Sequence, residues 1–232
     1  MAWYMISKNK IIYALFVLVT AVILFFGSRC VLQRLQMPQK FGRADFMTHF
    51  KVRYLEQPET QALEVLSCDI SQDDFYKNNE DNCHLLSQVY GELIDKSYVA
   101  PLYIAFVSPE LGYGLFADRA LQKGEMIGEY TGNLVKESEV SENNKYLFYY
   151  PSIIDKKSEN PMTFFIDAEA SGNFTRFANH RANPNAERRY VAHNGKWRII
   201  FIVVKEIVKN EQIFIDYGSG YWGDTEPLEI TD

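Results

Sequence analysis

The stretch DAEASGNFTRFANHRANPN, residues 167–185, decides the reading of this chain. Its centre, Arg176-Phe177-Ala178-Asn179-His180, sets a side-chain amide and an imidazole side by side behind apolar anchors. An isolated Asn-His pair reads first as a hydrogen-bonded turn. Its company argues otherwise. Downstream lies EQIFIDYG, residues 211–218, which ends in Asp216-Tyr217-Gly218. Upstream lie Gly112-Tyr113-Gly114 and Tyr130-Thr131-Gly132, and Tyr146 opens Tyr146-Leu147-Phe148.

Around these motifs the chain has the texture of a mainly β domain. Short runs rich in β-branched and aromatic residues cover 102–107, 113–117, 126–131, 146–150, 163–167, 189–192 and 197–204, separated by Gly, Pro, Asn and Lys-rich turns. Asn194-Gly195 predicts a tight hairpin, because both residues accept positive φ at little cost. Before the strands, 41–98 reads as polar and helix-prone, with one amphipathic segment over 83–94. Leu85, Leu86, Val89 and Leu93 are its predicted inward face, covering the sheet that follows.

The ordered motifs resemble those of the SET-domain protein lysine methyltransferases, in a compact form similar to bacterial or viral members. The resemblance covers about residues 101–223. It implies a fold of several small sheets with a knot-like threaded segment, and S-adenosylmethionine as cofactor. It assigns Gly112, Tyr113, Gly114, Tyr146, Arg176, Phe177, Asn179, His180 and Trp222 to the cofactor, with His180 also bracing the catalytic segment. Tyr217 becomes the catalytic residue, and Tyr130 an aromatic at the lysine channel. Ile215 and Tyr221 line that channel. Ile215 stands where relatives carry Phe or Tyr, and it has no hydroxyl to hold a water, which predicts di- or trimethylation. Each assignment has a plainer reading. Two glycines make a turn, a strand tyrosine is usually core, and Tyr221-Trp222 can simply staple the surface.

The chain departs from many relatives at Arg181 and Ala182, where they carry Ser or Leu and then Cys. It also lacks the Cys-x-Cys cluster after Gly218, so no zinc is expected. Cys30, Cys68 and Cys83 are too few and too dispersed for a disulfide framework or a cysteine-rich metal site.

The composition of 232 residues is 47% apolar and 15% aromatic, ample for a packed core. A formal charge of −6 argues against a nucleic-acid surface and suits a basic, histone-like tail as substrate. Residues 11–28 contain no charge and approach the length needed to cross a bilayer. They read as an N-terminal anchor, with a cleaved signal peptide or a buried core helix as competing readings. Arg29, Arg34, Lys40 and Arg43 outnumber Lys8 and Lys10, which places the domain on the cytosolic side. An exported effector is the alternative.

The expected organisation is therefore an anchor at 1–28, a juxtamembrane and helical region at 29–100, the catalytic domain at 101–223 and an acidic tail at 224–232. A catalytically silent module of the same fold, binding a peptide or scaffolding a membrane complex, is the competing function. Retention of Tyr217, Asn179 and His180 argues against it.

Overall fold

Asn194 and Gly195 both take positive φ, 50° and 72°, and turn the chain in two residues between Ala186–His193 and Lys196–Val203. The structure is a computed structural model that describes residues 38–61, 69–151, 163–218 and 221. The apolar run 11–28, Trp222, the acidic tail, Cys30 and Cys68 lie outside the described residues. Among those described, no helix is long and apolar enough to cross a membrane.

The strands in chain order are β1 (Arg53–Tyr54), β2 (Glu59–Thr60), β3 (Leu102–Ser108), β4 (Gly112–Ala117), β5 (Met126–Glu129), β6 (Asn133–Lys136), β7 (Leu147–Tyr150), β8 (Phe164–Asp167), β9 (Ser171–Gly172), β10 (Asn179–His180), β11 (Ala186–His193), β12 (Lys196–Val203) and β13 (Phe214–Ile215). Among the described residues, two α-helices precede β3, α1 (Asp74–Lys77) and α2 (Glu80–Asp95). The strands form small sheets with orders β11-β12-β5, β2-β6-β8-β7 and the β3-β4 hairpin, joined by parallel pairs β1-β9 and β10-β13. This is the mainly β architecture that the sequence predicts.

Strand β12 is buried on both faces, which explains its unbroken apolar run. Trp197, Ile199, Phe201 and Val203 enter the larger core, while Ile200 and Ile202 point the other way and meet Tyr90, Ile94, Met126 and Val191. The second cluster is where α2 lands. Its contact face corrects the predicted one. Cys83, Tyr90, Gly91 and Ile94 are buried, Leu86 and Leu93 pack at the margin, and Leu85 and Val89 are 56% and 55% exposed. The cause is Gly91. A Cβ there would lie 2.5 Å from His193 Cε1, so only glycine lets the helix close onto the β11-β12 turn. Ser87 Oγ then meets His193 Nδ1 at 2.8 Å, and the Tyr90 hydroxyl donates to the Gly124 carbonyl at 2.9 Å. The Ser87 contact turns Leu85 and Val89 outward, since residues two positions apart differ by about 200° on a helix.

Residues 41–60 also differ from the helix-prone expectation. Apart from a short π-helical turn at Phe46–Phe50 they are extended: Phe41 bridges Ile104, β1 pairs with β9, and β2 pairs with β6. The segment's aromatic residues dictate this. Phe46 meets Phe174 at 5.2 Å between ring centres, and Phe50 meets Phe177 at 4.8 Å, so the segment packs behind the Arg176–His180 stretch.

The revised helix face is testable by chemical denaturation. Ile94→Ala should lose about 2–4 kcal/mol, whereas Leu85→Ala should stay within about 0.5 kcal/mol of the parent. The reverse ranking would restore the sequence-predicted face.

Candidate functional site

Residues 211–217 run between β4 and β10, and this crossing builds the site. On one side Ala117 N donates to Glu211 O at 3.0 Å, and Ile213 N donates to Leu115 O at 2.8 Å. On the other side β13 pairs in parallel with β10, Asn179 opposite Phe214 and His180 opposite Ile215. Arg181 N extends the ladder to Ile215 O at 3.1 Å. The buried Asn185 fastens the crossing. Its Nδ2 donates to Gln212 O at 2.9 Å, its Oδ1 accepts from Phe214 N at 2.9 Å, and its own carbonyl accepts from Val204 N at 2.9 Å. Sequence reading quotes Asn185 within the motif and gives it no role; the one signal is a short amide just after Pro184.

Tyr217 follows directly. Its backbone N–H donates to His180 Nδ1 at 3.2 Å, and its hydroxyl donates to the Ala178 carbonyl at 2.9 Å. Both ends of the residue are thus held by β10 and the residue before it. Asp216 Oδ1 lies 3.6 Å from the same His180 Nδ1 and accepts from Gly218 N at 2.8 Å. Because Nδ1 receives the Tyr217 N–H, the neutral imidazole carries its proton on Nε2. The Tyr217 ring lies 5.5 Å from that of His180 and 4.5 Å from that of Tyr221. Burial raises the Tyr217 phenol's pKa well above its ordinary value, with smaller contributions from the phenols of Tyr221 and Tyr146. Burial likewise raises that of Tyr221.

The glycine turn adjoins β10. Gly112 has φ +67° and open space where a Cβ would be, while a Cβ on Gly114 would strike Gln212 Nε2 at 2.4 Å. Gly112 is thus a backbone surface left bare, and Gly114 permits the crossing segment to pass. Asn179 Nδ2 donates to the Tyr113 carbonyl at 3.3 Å, tying the turn to β10.

Tyr146, just before β7, and Tyr130 stand near Tyr217. The Tyr130 hydroxyl donates to the Tyr146 carbonyl at 2.9 Å, and its ring packs on Phe148 at 4.4 Å. Tyr130 is only 2% exposed, and burial pushes its pKa far up. Arg176 lies 3.9 Å from the centre of the Tyr146 ring and donates through Nε to Ala168 O at 2.7 Å and through Nη2 to Glu169 O at 3.2 Å. Burial lowers the pKa of its guanidinium. Arg176 thus braces the Tyr146 ring, and Phe177 packs in the core beside Phe46 and Phe50. Ile215 is 1% exposed, two residues before Tyr217. Trp222 lies outside the described residues.

One contributor was not legible. Arg188 Nη1 donates to the carbonyls of Asp216 and Tyr217 at 3.4 and 3.3 Å, so a strand cation clamps the tyrosine's backbone from outside. Among the described residues, no group of three or more His, Cys, Asp or Glu could hold a metal ion.

A family model described as SET domain matches residues 112–218, from the glycine turn through Gly218. The histone-lysine N-methyltransferase EZH2 of Chaetomium thermophilum is 30% identical over 128 residues, which is 50% of this chain and 8% of that protein. The chain therefore spans a small part of that curated relative's length. Among solved structures, ATXR5 in complex with mono-methylated histone H3.1 aligns with a TM-score of 0.57 at 17% identity, covering 80% of this chain and 88% of that one. The ATXR5 SET domain in complex with dimethylated histone H3 gives 0.53 at 18% identity over the same shares. Those two likenesses show a common fold.

A phenol held this way stays protonated where free tyrosines ionise, near pH 10. Folding stability linked to Tyr217 is therefore fully present below about pH 10 and is lost as pH rises further. Ultraviolet titration should show no tyrosinate difference between the parent and Tyr217→Phe until the fold is lost at higher pH. A difference developing at pH 9–10 in folded protein would contradict the assigned hydrogen bond and burial.

Proposed function

We propose, for a chain that belongs to the SET-domain family through residues 112–218, that this site transfers a methyl group from S-adenosylmethionine to a lysine amine of a basic protein. The observation that carries the reading is Tyr217, fixed by Ala178 and His180 at the junction of the glycine turn, β10 and β13.

The residues present fit the cofactor. Gly112 leaves its backbone bare beside the Asn179-Tyr113 tie, and the rings of Tyr217 and Tyr221, with Tyr146 close by, offer aromatic faces suited to a sulfonium cation. Gly112, Tyr113, Gly114, Tyr146, Asn179 and His180 would hold it, and it supplies an electrophilic methyl group when bound.

The chain's own part is positioning. A protonated phenol is no base, and none is needed at the moment of displacement, which requires a neutral amine in line with the methyl. A free lysine has a pKa of about 10.4, and entry into an aromatic, desolvated channel favours its neutral form. Tyr217 keeps its proton throughout and, with its two backbone-fixed ends, fixes the direction of approach. Tyr130 and Tyr146 exclude water from the far side. Ile215, apolar and buried, offers no hydroxyl to anchor a water where further methyls must rotate, which supports di- or trimethylation. The formal charge of −6 favours a basic partner. The histone H3 complexes of ATXR5 support a histone tail as the first substrate.

Labelled S-adenosylmethionine with core histones and the full chain should give transfer that falls about 100-fold in Tyr217→Phe. The rate should rise with pH from about 7 to 9 as the lysine deprotonates. Mass spectrometry should find di- or trimethylated lysine; a product that stops at monomethyl would remove the role given to Ile215. Absence of transfer to any histone or lysate protein would contradict the enzymatic reading.

A further inference from the structure

A polar side chain outside the matched residues 112–218 reaches the side chain of Tyr113 in the glycine turn. His49 Nε2 lies 2.8 Å from the Tyr113 hydroxyl. From this we infer that His49 is a positioning residue for cofactor binding, acting through Tyr113; the inference rests on the methyltransferase reading of the site.

The chain of contacts is continuous. Phe41 is fixed to the backbone of Ile104 by hydrogen bonds of 2.8 and 2.9 Å. The His49 ring stacks on Phe41 at 4.2 Å and 23°, and meets Phe50 edge-on at 4.8 Å. Held on one face by Phe41 and at its edge by Phe50, the exposed ring presents its nitrogen to Tyr113. The Tyr113 ring is boxed edge-on by Phe41, Phe50 and Phe106, at 5.7, 5.0 and 5.7 Å. All three are hydrocarbon, and none fixes the height of the hydroxyl. His49 does. At the other end of the same residue, the Tyr113 carbonyl accepts from Asn179 Nδ2. Tyr113 is therefore held at its side-chain tip by the N-terminal segment and at its backbone by β10. Its neighbour Gly112 is the bare, positive-φ position of the turn. Loss of the His49 contact leaves the Tyr113 hydroxyl to water and frees the ring to shift, and with it the peptide that faces the cofactor.

Calorimetric titration of S-adenosylhomocysteine into the full chain tests this. His49→Ala should weaken binding by about 5-fold, the worth of one hydrogen bond. His49→Gln, whose amide reaches a similar distance, should recover most of it. Tyr113→Phe should lose a similar factor, and His49→Ala with Tyr113→Phe together should lose no more than either alone, because both remove one interaction. In turnover, His49→Ala should raise the KM for cofactor while leaving kcat and the melting temperature near those of the parent. Parent-level affinity in His49→Ala, or losses that simply multiply in the double variant, would overturn the inference while leaving the site intact. Failure of the unaltered chain to bind would overturn both this inference and the reading of the site.

Discussion

The parallel pairing of β10 with β13 is the constraint on which the rest depends. Two residues on each side suffice to bring Asn179 and His180 beside the segment that carries Tyr217. A two-residue parallel ladder is weak alone, because parallel strands gain little from isolated pairs. Here it is reinforced from both flanks. Strand β4 holds residues 211–213, and Asn185 ties 212 and 214 to the start of the β11-β12 sheet. The chemistry of the site is a by-product of that fastening: once the crossing is closed, Tyr217 has its backbone on His180 and its hydroxyl on Ala178 without further adjustment.

The same economy governs the polar groups of the site. Tyr130 and Arg176 are buried and Tyr217 is half-buried, and each donates to a backbone carbonyl. Carbonyl oxygens thus satisfy groups that would otherwise be costly in a desolvated site. The phenols remain neutral, and the one buried cation among them lies over the Tyr146 ring, where its charge is shared with an aromatic face. Such an interior is suited to orienting a reaction and poorly suited to moving protons.

What the sequence makes legible follows from how local each determinant is. The hairpin was readable because Asn194 and Gly195 carry its backbone angles in two adjacent residues. The motif residues were readable because their chemistry is unusual for a structural role, and the structure gathers Tyr113, Asn179, His180 and Tyr217 at one crossing. The inward face of α2 was not readable, since it is set by Gly91 yielding space to His193 and by Ser87 bonding the same ring across 106 residues. Apolar periodicity alone put Leu85 and Val89 on the inward face and left Ile94 out of it. Strands β1 and β2 are two residues long and pair with partners far along the chain, so no alternation could announce them. Arg188 and Asn185 act through carbonyls of distant segments, for which sequence carries no pattern.

The central claim is that three segments remote in sequence form one cofactor site. Hydrogen–deuterium exchange of the full chain with and without S-adenosylhomocysteine tests it directly. The account predicts simultaneous protection of peptides spanning 112–115, 178–182 and 213–218, with little change in α2. Protection confined to one of these segments, or falling elsewhere, would contradict it.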